Sequence, residues 1–335
     1  MQRIPKRLAI SIALVLTAAM GCSSGKKSDR PLIAFVTNGV DPFWDVAAAG
    51  ARAAAREFDV ELDVRMPTKG AVEQKEMIED LLARSVDGIA LSPVDPGNQT
   101  SLIDDACSRT KVVTHDSDAP ASKRLCYIGM NNYEAGRRAG ELLRKALPQG
   151  GQVMIFVGRL EQDNARLRRQ GTIDALLGRP ADPSRSDPAD AHLVGEGYEV
   201  LGTLTDQFDS TVAKANAEDS LSKHPNLAAM VGLFAYNAPA CLEALRQAGK
   251  VGKVKIVSFD EQDAALQGVQ DGTIVATVVQ NPYYYGYDSV RILAALARGQ
   301  DPGIPAGGAI DHPARVIDSA NVAEFWADKK TKMRN

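Results

Sequence analysis

The fold is decided by the stretch Pro31-Leu-Ile-Ala-Phe-Val-Thr-Asn-Gly-Val-Asp-Pro-Phe-Trp-Asp-Val46. Leu32 to Val36 are apolar and partly β-branched without alternation, the pattern of a strand buried on both faces. The chain then turns polar at Thr37, Asn38 and Asp41, shows two rings at Phe43 and Trp44, and enters an Ala-rich helix. Hydrogen-bonding groups and aromatic rings are thus gathered where a buried strand gives way to a helix. In an open parallel sheet that is where ligands sit.

Working outward, the same unit recurs. Strands are predicted at 32–36, 60–64, 88–91, 112–115 and 127–129, and helices at 44–57, 71–84, 97–107 and 133–146. This is the βαβ succession of a doubly wound parallel sheet. Helix 71–84 takes its register from Val72, Met77, Ile78, Leu81 and Leu82, which share one face. Leu147-Pro-Gln-Gly-Gly151 interrupts, and the pattern restarts. Strands are predicted at 152–157, 193–196 (running on toward 204), 228–234, 255–259 and 274–279, and helices at 163–177, 210–223, 238–248, 262–271 and 284–298. The Pro-rich segment 178–190 reads as a surface loop, and a strand at 315–317 and a helix at 320–327 close the pattern. A chain of 335 residues suits two such domains. The halves echo one another: Val112-Val-Thr-His-Asp116 and Ile256-Val-Ser-Phe-Asp260 each end a strand in Asp.

Net charge is −3, which gives no basis for a nucleic-acid surface. The N-terminus stands apart. Arg3, Lys6 and Arg7 precede an apolar run from Leu8 to Met20, too short to span a bilayer comfortably and of the length of a signal peptide core. Gly21-Cys22 and a polar run follow, an arrangement that resembles a bacterial lipobox. Residues 1–21 are then a signal peptide, Cys22 the lipidated first residue, and 22–31 a tether. A plain secretory signal and an uncleaved anchor are the alternatives, and all three export the protein.

Export permits disulfides. Cys107 and Cys126 flank a strand and the polar loop Ser117 to Arg124, and a bond between them is expected, closing a loop of about twenty residues worth about 3 kcal/mol. Two buried free thiols are the alternative. Cys241 lies in an Ala/Leu helical pattern and reads as core. The four histidines are scattered and no CxxC or Cys/His ligand spacing occurs, so neither a metal nor any other cofactor is expected.

The predicted strand ends carry Asn38, Asp41, Phe43, Trp44, Asp116, Phe208, Asn237, Phe259, Asp260, Gln280 and Asn281, and Arg168 on an early helix joins them. A sugar has the matching demand. Each hydroxyl both donates and accepts, which suits carboxylates, amides and the fork of an Arg. The C–H faces of the ring stack on Phe or Trp. Enzyme signatures are missing: there is no GxSxG, Walker A, dinucleotide glycine pattern or histidine-centred constellation, so no catalysis is expected.

Several motifs in order then become specific. Residues 32–318 resemble a bacterial periplasmic sugar-binding protein of the ribose-binding type, the receptor of an ABC importer. The Asn-Gly-Val-Asp-Pro-Phe-Trp run resembles the family's first-strand motif, and Thr114-His-Asp116 its strand-end Asp. Asn164-Ala-Arg-Leu-Arg-Arg-Gln-Gly171 resembles its Arg-x-x-Gly helix start, which selects Arg168 over Arg166 and Arg169. Asp206-Gln-Phe-Asp209 supplies Phe208, and Val257-Ser-Phe-Asp260 and Ala276-Thr-Val-Val-Gln280 supply Asp260 and Gln280. The family's turn Asn is carried to Asn237, with Tyr236 or Phe234 as alternatives. Ser117 stands where the ribose receptor has Arg, and Trp44 where it has Phe, so ribose itself does not follow.

The resemblance implies two doubly wound lobes, 32–131 with 282–310 and 132–281 with 311–327, joined by crossovers near 131–132, 281 and 310–311. It implies closure of a monomer around a monosaccharide and delivery to a membrane permease. The alternatives are a sensor of a sugar or autoinducer-like furanose that signals to a chemotaxis or kinase partner, and a repressor's effector domain. The latter needs an N-terminal helix-turn-helix where the signal segment stands. Residue by residue, Trp44 and Phe43 also suit a helix core, Asp116 and Asp260 also suit helix N-caps, and Gln280 also suits a hinge. The cluster Tyr283, Tyr284, Tyr285 and Tyr287 reads as helix packing.

Overall fold

The computed structural model describes residues 30–334, so the signal peptide, Cys22 and most of the tether lie outside the described residues. The chain runs β1 (Leu32–Val36), α1 (Pro42–Glu57), β2 (Glu61–Arg65), α2 (Ala71–Ala83), β3 (Gly88–Leu91), α3 (Pro96–Arg109), β4 (Lys111–His115), β5 (Tyr127–Gly129) and α4 (Asn132–Ala146). It continues through β6 (Gly151–Val157), α5 (Asp163–Leu176), β7 (Leu193–Gly195), β8 (Tyr198–Thr205), α6 (Ser210–Lys223), β9 (Leu227–Gly232), α7 (Asn237–Gln247), β10 (Lys255–Phe259), α8 (Asp263–Gln270) and β11 (Ala276–Val279). α9 (Pro282–Ala297), β12 (Ala309–Asp311), β13 (Arg315–Ile317) and α10 (Val322–Arg334) follow. Several starts are written in the sequence. Pro opens α1, α3 and α9, where its missing N–H costs nothing. Asp41, Asp95, Asn131 and Asp209 accept from first-turn backbone N–H groups.

Two α/β lobes result. The first holds a parallel sheet of order β2-β1-β3-β4-β5-β12. The second sheet runs β7-β8-β6-β9-β10-β11-β13, parallel except for its antiparallel edge strands β7 and β13. In each, strand order reverses beside the first strand, at β1/β3 and at β6/β9, which is where the crevice of an open α/β sheet forms.

Each sheet is covered on both faces. One face of the first sheet packs on α1 and α9 through Phe35, Tyr285, Ile292 and Leu293, and the other on α2 and α3 through Val36, Ile78, Leu81 and Ile103. In the second, α4 and α5 cover one face and α7, α8 and α10 the other. Paired helices touch at glycines. A Cβ on Gly50 would lie 1.8 Å from Tyr283 O, and one on Gly171 would lie 2.1 Å from Tyr133 O. The chain passes between lobes at 130–131, at 280–281 and at 312–314, between elements that belong to different sheets.

Four expectations are corrected. Cys107, Cys126 and Cys241 are all free thiols. Cys126 is buried among the α1/α9 face, whereas Cys107, on α3, packs against the opposite face of the same sheet, so the sheet itself separates the expected partners. Segment 193–204 is not one strand but the hairpin β7–β8, turned at Glu196 and Gly197 with φ of 50° and 82°. In α2, Val72 is 71% exposed and the buried face is Gln74, Ile78, Leu81 and Leu82. The terminal helix runs past 327 to Arg334, and β12 joins the edge of the first sheet.

Candidate functional site

The two strand-end aspartates are built alike. Asp116 follows β4 and Asp260 follows β10, with φ of 57° and 64°. This is a left-handed conformation that Asp tolerates better than most residues. Asp116 N donates to Ile128 O of the neighbouring strand (3.1 Å), and Tyr127 Oη donates to Asp116 O (2.9 Å). Asp260 N likewise donates to Val278 O (2.9 Å), and Thr277 Oγ1 donates to Asp260 O (2.7 Å). The main chain is thus clamped from both sides and the carboxylates are aimed out of the sheets. Neither is a helix N-cap: the cap of α8 is Gln262.

Arg168, from α5, stands between them and is 1% exposed. Its Nη2 lies 3.8 Å from Asp116 Oδ1 and its Nη1 3.8 Å from Asp260 Oδ2. Asn132 Oδ1 accepts from its Nε (2.9 Å) and Leu233 O from its Nη1 (3.2 Å), while Phe259 lies under the guanidinium at 4.9 Å. Burial pushes both carboxyls up against the pull of Arg168, Asp260 to about 6. Gln280 Nε2, at a crossover between lobes, donates to Asp260 Oδ1 (2.8 Å). Ser92 Oγ donates to Asp116 Oδ2 (3.3 Å) and accepts from Asn38 Nδ2 (3.1 Å).

These groups open into a cavity of about 390 Å³ between the lobes. This lies in the range of small-molecule sites, about 300–1,000 Å³. Its first-lobe wall includes Asn38, Asp41, Phe43, Trp44 and Asp116, and its second-lobe wall Arg159, Asn164, Arg168, Phe208, Phe234, Tyr236 and Asp260, with Gln280 at the back. Phe43 and Trp44 meet edge to face (4.9 Å), and Phe208 stacks on Phe234 (5.7 Å, 3°). Trp44 is backed by His115, itself stacked on Phe35 at 4.3 Å; burial pushes His115 down to about 3, so its ring is neutral. Asp41 caps α1, and burial raises its carboxyl as well.

Of the residues singled out in the sequence, Asn38, Asp41, Phe43, Trp44, Asp116, Arg168, Phe208, Asp260 and Gln280 line this one cavity. Ser117, Asn237, Phe259 and Asn281 do not. Ser117 is buried behind Asp116, its N donating to Ser92 Oγ. Asn237 fixes the turn before α7: its Nδ2 donates to Asp206 Oδ2 (2.7 Å) and its Oδ1 accepts from Phe234 N (3.0 Å). That turn presents Phe234 and Tyr236. Arg159, Gln162 and Asn164 also line the cavity unforeseen. The signal for Arg159 was there, since it stands just past the end of β6 as Asp116 stands past β4. Among the described residues no group of three or more His, Cys, Asp or Glu side chains is arranged to hold a metal ion.

The family model for the periplasmic binding protein domain matches residues 33–301. The D-ribose/D-allose-binding protein of Pseudomonas aeruginosa is 24% identical over 95% of this chain and 99% of its own. The ribose import binding protein of Escherichia coli is 25% identical over 88% and 94%. Among solved structures, an ABC transporter solute binding protein from Burkholderia graminis, in complex with D-arabinose, superposes with a TM-score of 0.79. It is 32% identical over 88% of this chain and 98% of that one.

Proposed function

The chain belongs to the periplasmic binding protein family, whose members bind rather than transform their ligands, and from that premise we propose that it is the sugar receptor of an ABC importer. In this reading the exported, monomeric protein closes around one monosaccharide and hands it to a membrane permease, tethered through a lipid on Cys22. The observation that carries it is the central triad, two buried carboxylates sharing one buried guanidinium, set between aromatic pairs on facing walls. Carboxylates accept from sugar hydroxyls, Arg168 and the amides of Asn38 and Gln280 donate, and the rings of Phe43 and Phe208 cover the C–H faces. The names of the relatives, which bind ribose, allose or arabinose, support the ligand class.

The mechanism follows from the two walls. The lobes, 32–130 with 281–311 and 131–280 with 315–334, turn as units about their crossovers. A sugar that touches Asp116 and Trp44 on one side and Arg168 and Asp260 on the other makes its full set of contacts only when the lobes are closed. It therefore favours the closed form by its differential affinity. The permease reads closure as occupancy.

A thermal-shift and calorimetry panel of pentoses, hexoses and polyols tests this. A true ligand at a hundred times its dissociation constant stabilises the fold by about 2.7 kcal/mol. That shift should vanish in Arg168→Met. Undiminished binding in a folded Arg168→Met protein would refute the reading.

A further inference from the structure

The donors and acceptors of the cavity are not evenly occupied. Each lining carboxylate already accepts a hydrogen bond. Asp41 accepts from Phe43 N, Asp116 from Ser92 Oγ and Asn164 Nδ2, and Asp260 from Gln280 Nε2. Three buried donors have no acceptor: Arg159 Nε, Gln162 Nε2 and Arg168 Nη2. All three residues line the cavity, and all lie on the one segment from the end of β6 into α5. Gln162 and Arg168 are each 1% exposed. A buried donor left without an acceptor is destabilising, so the segment is arranged for acceptors that a ligand brings.

Charge sharpens this. The guanidinium of Arg168 is shared by Asp116 and Asp260. Asp163, in the first turn of α5, is engaged by Arg166. Arg159 makes no ion pair among the described residues; its guanidinium lies over the Phe208 ring at 5.1 Å. It flanks the start of α5, a helix of 14 residues whose N-cap, Gln162, makes no side-chain capping bond. The positive end of the helix and the unpaired fork of Arg159 therefore converge on one side of the cavity.

Resting on the sugar-receptor reading above, we infer that the ligand is a sugar acid, a uronate or aldonate whose carboxylate is held by Arg159, Gln162 and the first turn of α5. A carboxylate matches the planar fork of one guanidinium and brings the single negative charge that Arg159 lacks. The rest of the sugar occupies the aspartate–arginine triad and the aromatic walls.

Calorimetry on the full mature chain tests the inference, comparing D-glucuronate, D-galacturonate and D-gluconate with D-glucose, D-galactose, D-ribose, D-allose and D-arabinose. At least one acid should bind about tenfold or more tightly than its neutral parent, the factor that one charge-assisted hydrogen bond gives. In Arg159→Gln the ratio of acid to neutral affinity should collapse, and in Arg159→Lys, which keeps the charge without the fork, part of it should remain. Thermal melts of both variants report that they fold. Neutral sugars that bind as tightly as any acid, or a ratio unchanged in Arg159→Gln, would overturn the inference and leave the receptor reading standing. A wild-type protein that binds neither kind of sugar would overturn both.

Discussion

Asp260→Asn separates what this residue does for a ligand from what it does to the fold. Burial lifts its carboxyl from an ordinary 3.8 to about 6, although Arg168 lies 3.8 Å away and pulls the other way. The folded chain therefore holds the Asp260 proton more tightly than the unfolded chain. The resulting stability is fully present below about 3.8 and is lost as pH rises through about 6. Each pH unit between those values is worth about 1.4 kcal/mol, so the ionised carboxylate holds the unliganded protein about 3 kcal/mol below its acid-form stability at pH 8. The isosteric amide removes most of that deficit and keeps an oxygen for Gln280 Nε2. In urea denaturation followed by tryptophan fluorescence, D260N should gain about 1–3 kcal/mol at about pH 8 and almost nothing near pH 3.5. Its affinity for the sugar should fall at the same time, by the 1.5–3 kcal/mol of a charged hydrogen bond, roughly 10- to 150-fold. A variant that is less stable than wild type by the same amount at both pH values would refute the reasoning.

Other perturbations have equally definite outcomes. Phe208→Ala removes a 38% exposed ring stacked on Phe234, so sugar affinity should drop by about 1 kcal/mol in calorimetry while the urea midpoint barely moves. Gly171→Ala places a Cβ against Tyr133 O and forces α4 from α5, and should destabilise the protein by about 1–3 kcal/mol. Since Asn132 of α4 holds Arg168 of α5, affinity should fall with it, and an unchanged midpoint and affinity would disprove that contact. Dithiothreitol should leave the melting temperature unchanged. Alkylation of the unfolded, unreduced chain should label Cys107, Cys126 and Cys241, whereas a peptide linking Cys107 to Cys126 would contradict the opposed faces.

What the sequence disclosed was set by how local the determinants are. Strands such as Leu32–Val36 and Gly88–Leu91 are buried on both faces and announce themselves by composition alone. The aspartates at 116 and 260 were visible because an acidic residue directly after such a strand has one place to go. Gln74 was invisible for the opposite reason. Its burial depends on four bonds to groups far along the chain: Nε2 to Thr37 O and Ser92 O, and Oε1 from Val94 N and Gln99 Nε2. Those bonds fix the two loops that carry Asn38 and Ser92, and no helical periodicity encodes them. Phe234 and Tyr236 were named only as alternatives to Asn237, because which of the three enters the cavity depends on a turn that Asn237 braces from within. Cys107 and Cys126 misled because closeness in sequence says nothing about which side of a sheet a side chain takes.

The three passages between lobes also dictate an order of assembly. The first sheet ends in β12, and one of its faces is roofed by α9, whose Tyr285, Val290, Ile292 and Leu293 are fully buried. Both elements follow the bulk of the second lobe in the chain. Neither lobe is complete until the C-terminal stretch is made, because β13 and α10 close the second lobe just after α9 and β12 close the first. The half made earliest lacks its edge strand and one of the two helices on its α1/α9 face until almost the last residues arrive. Contacts this distant in sequence form slowly. Both lobes are thus completed almost together, by residues 282–334, however early their first strands are made.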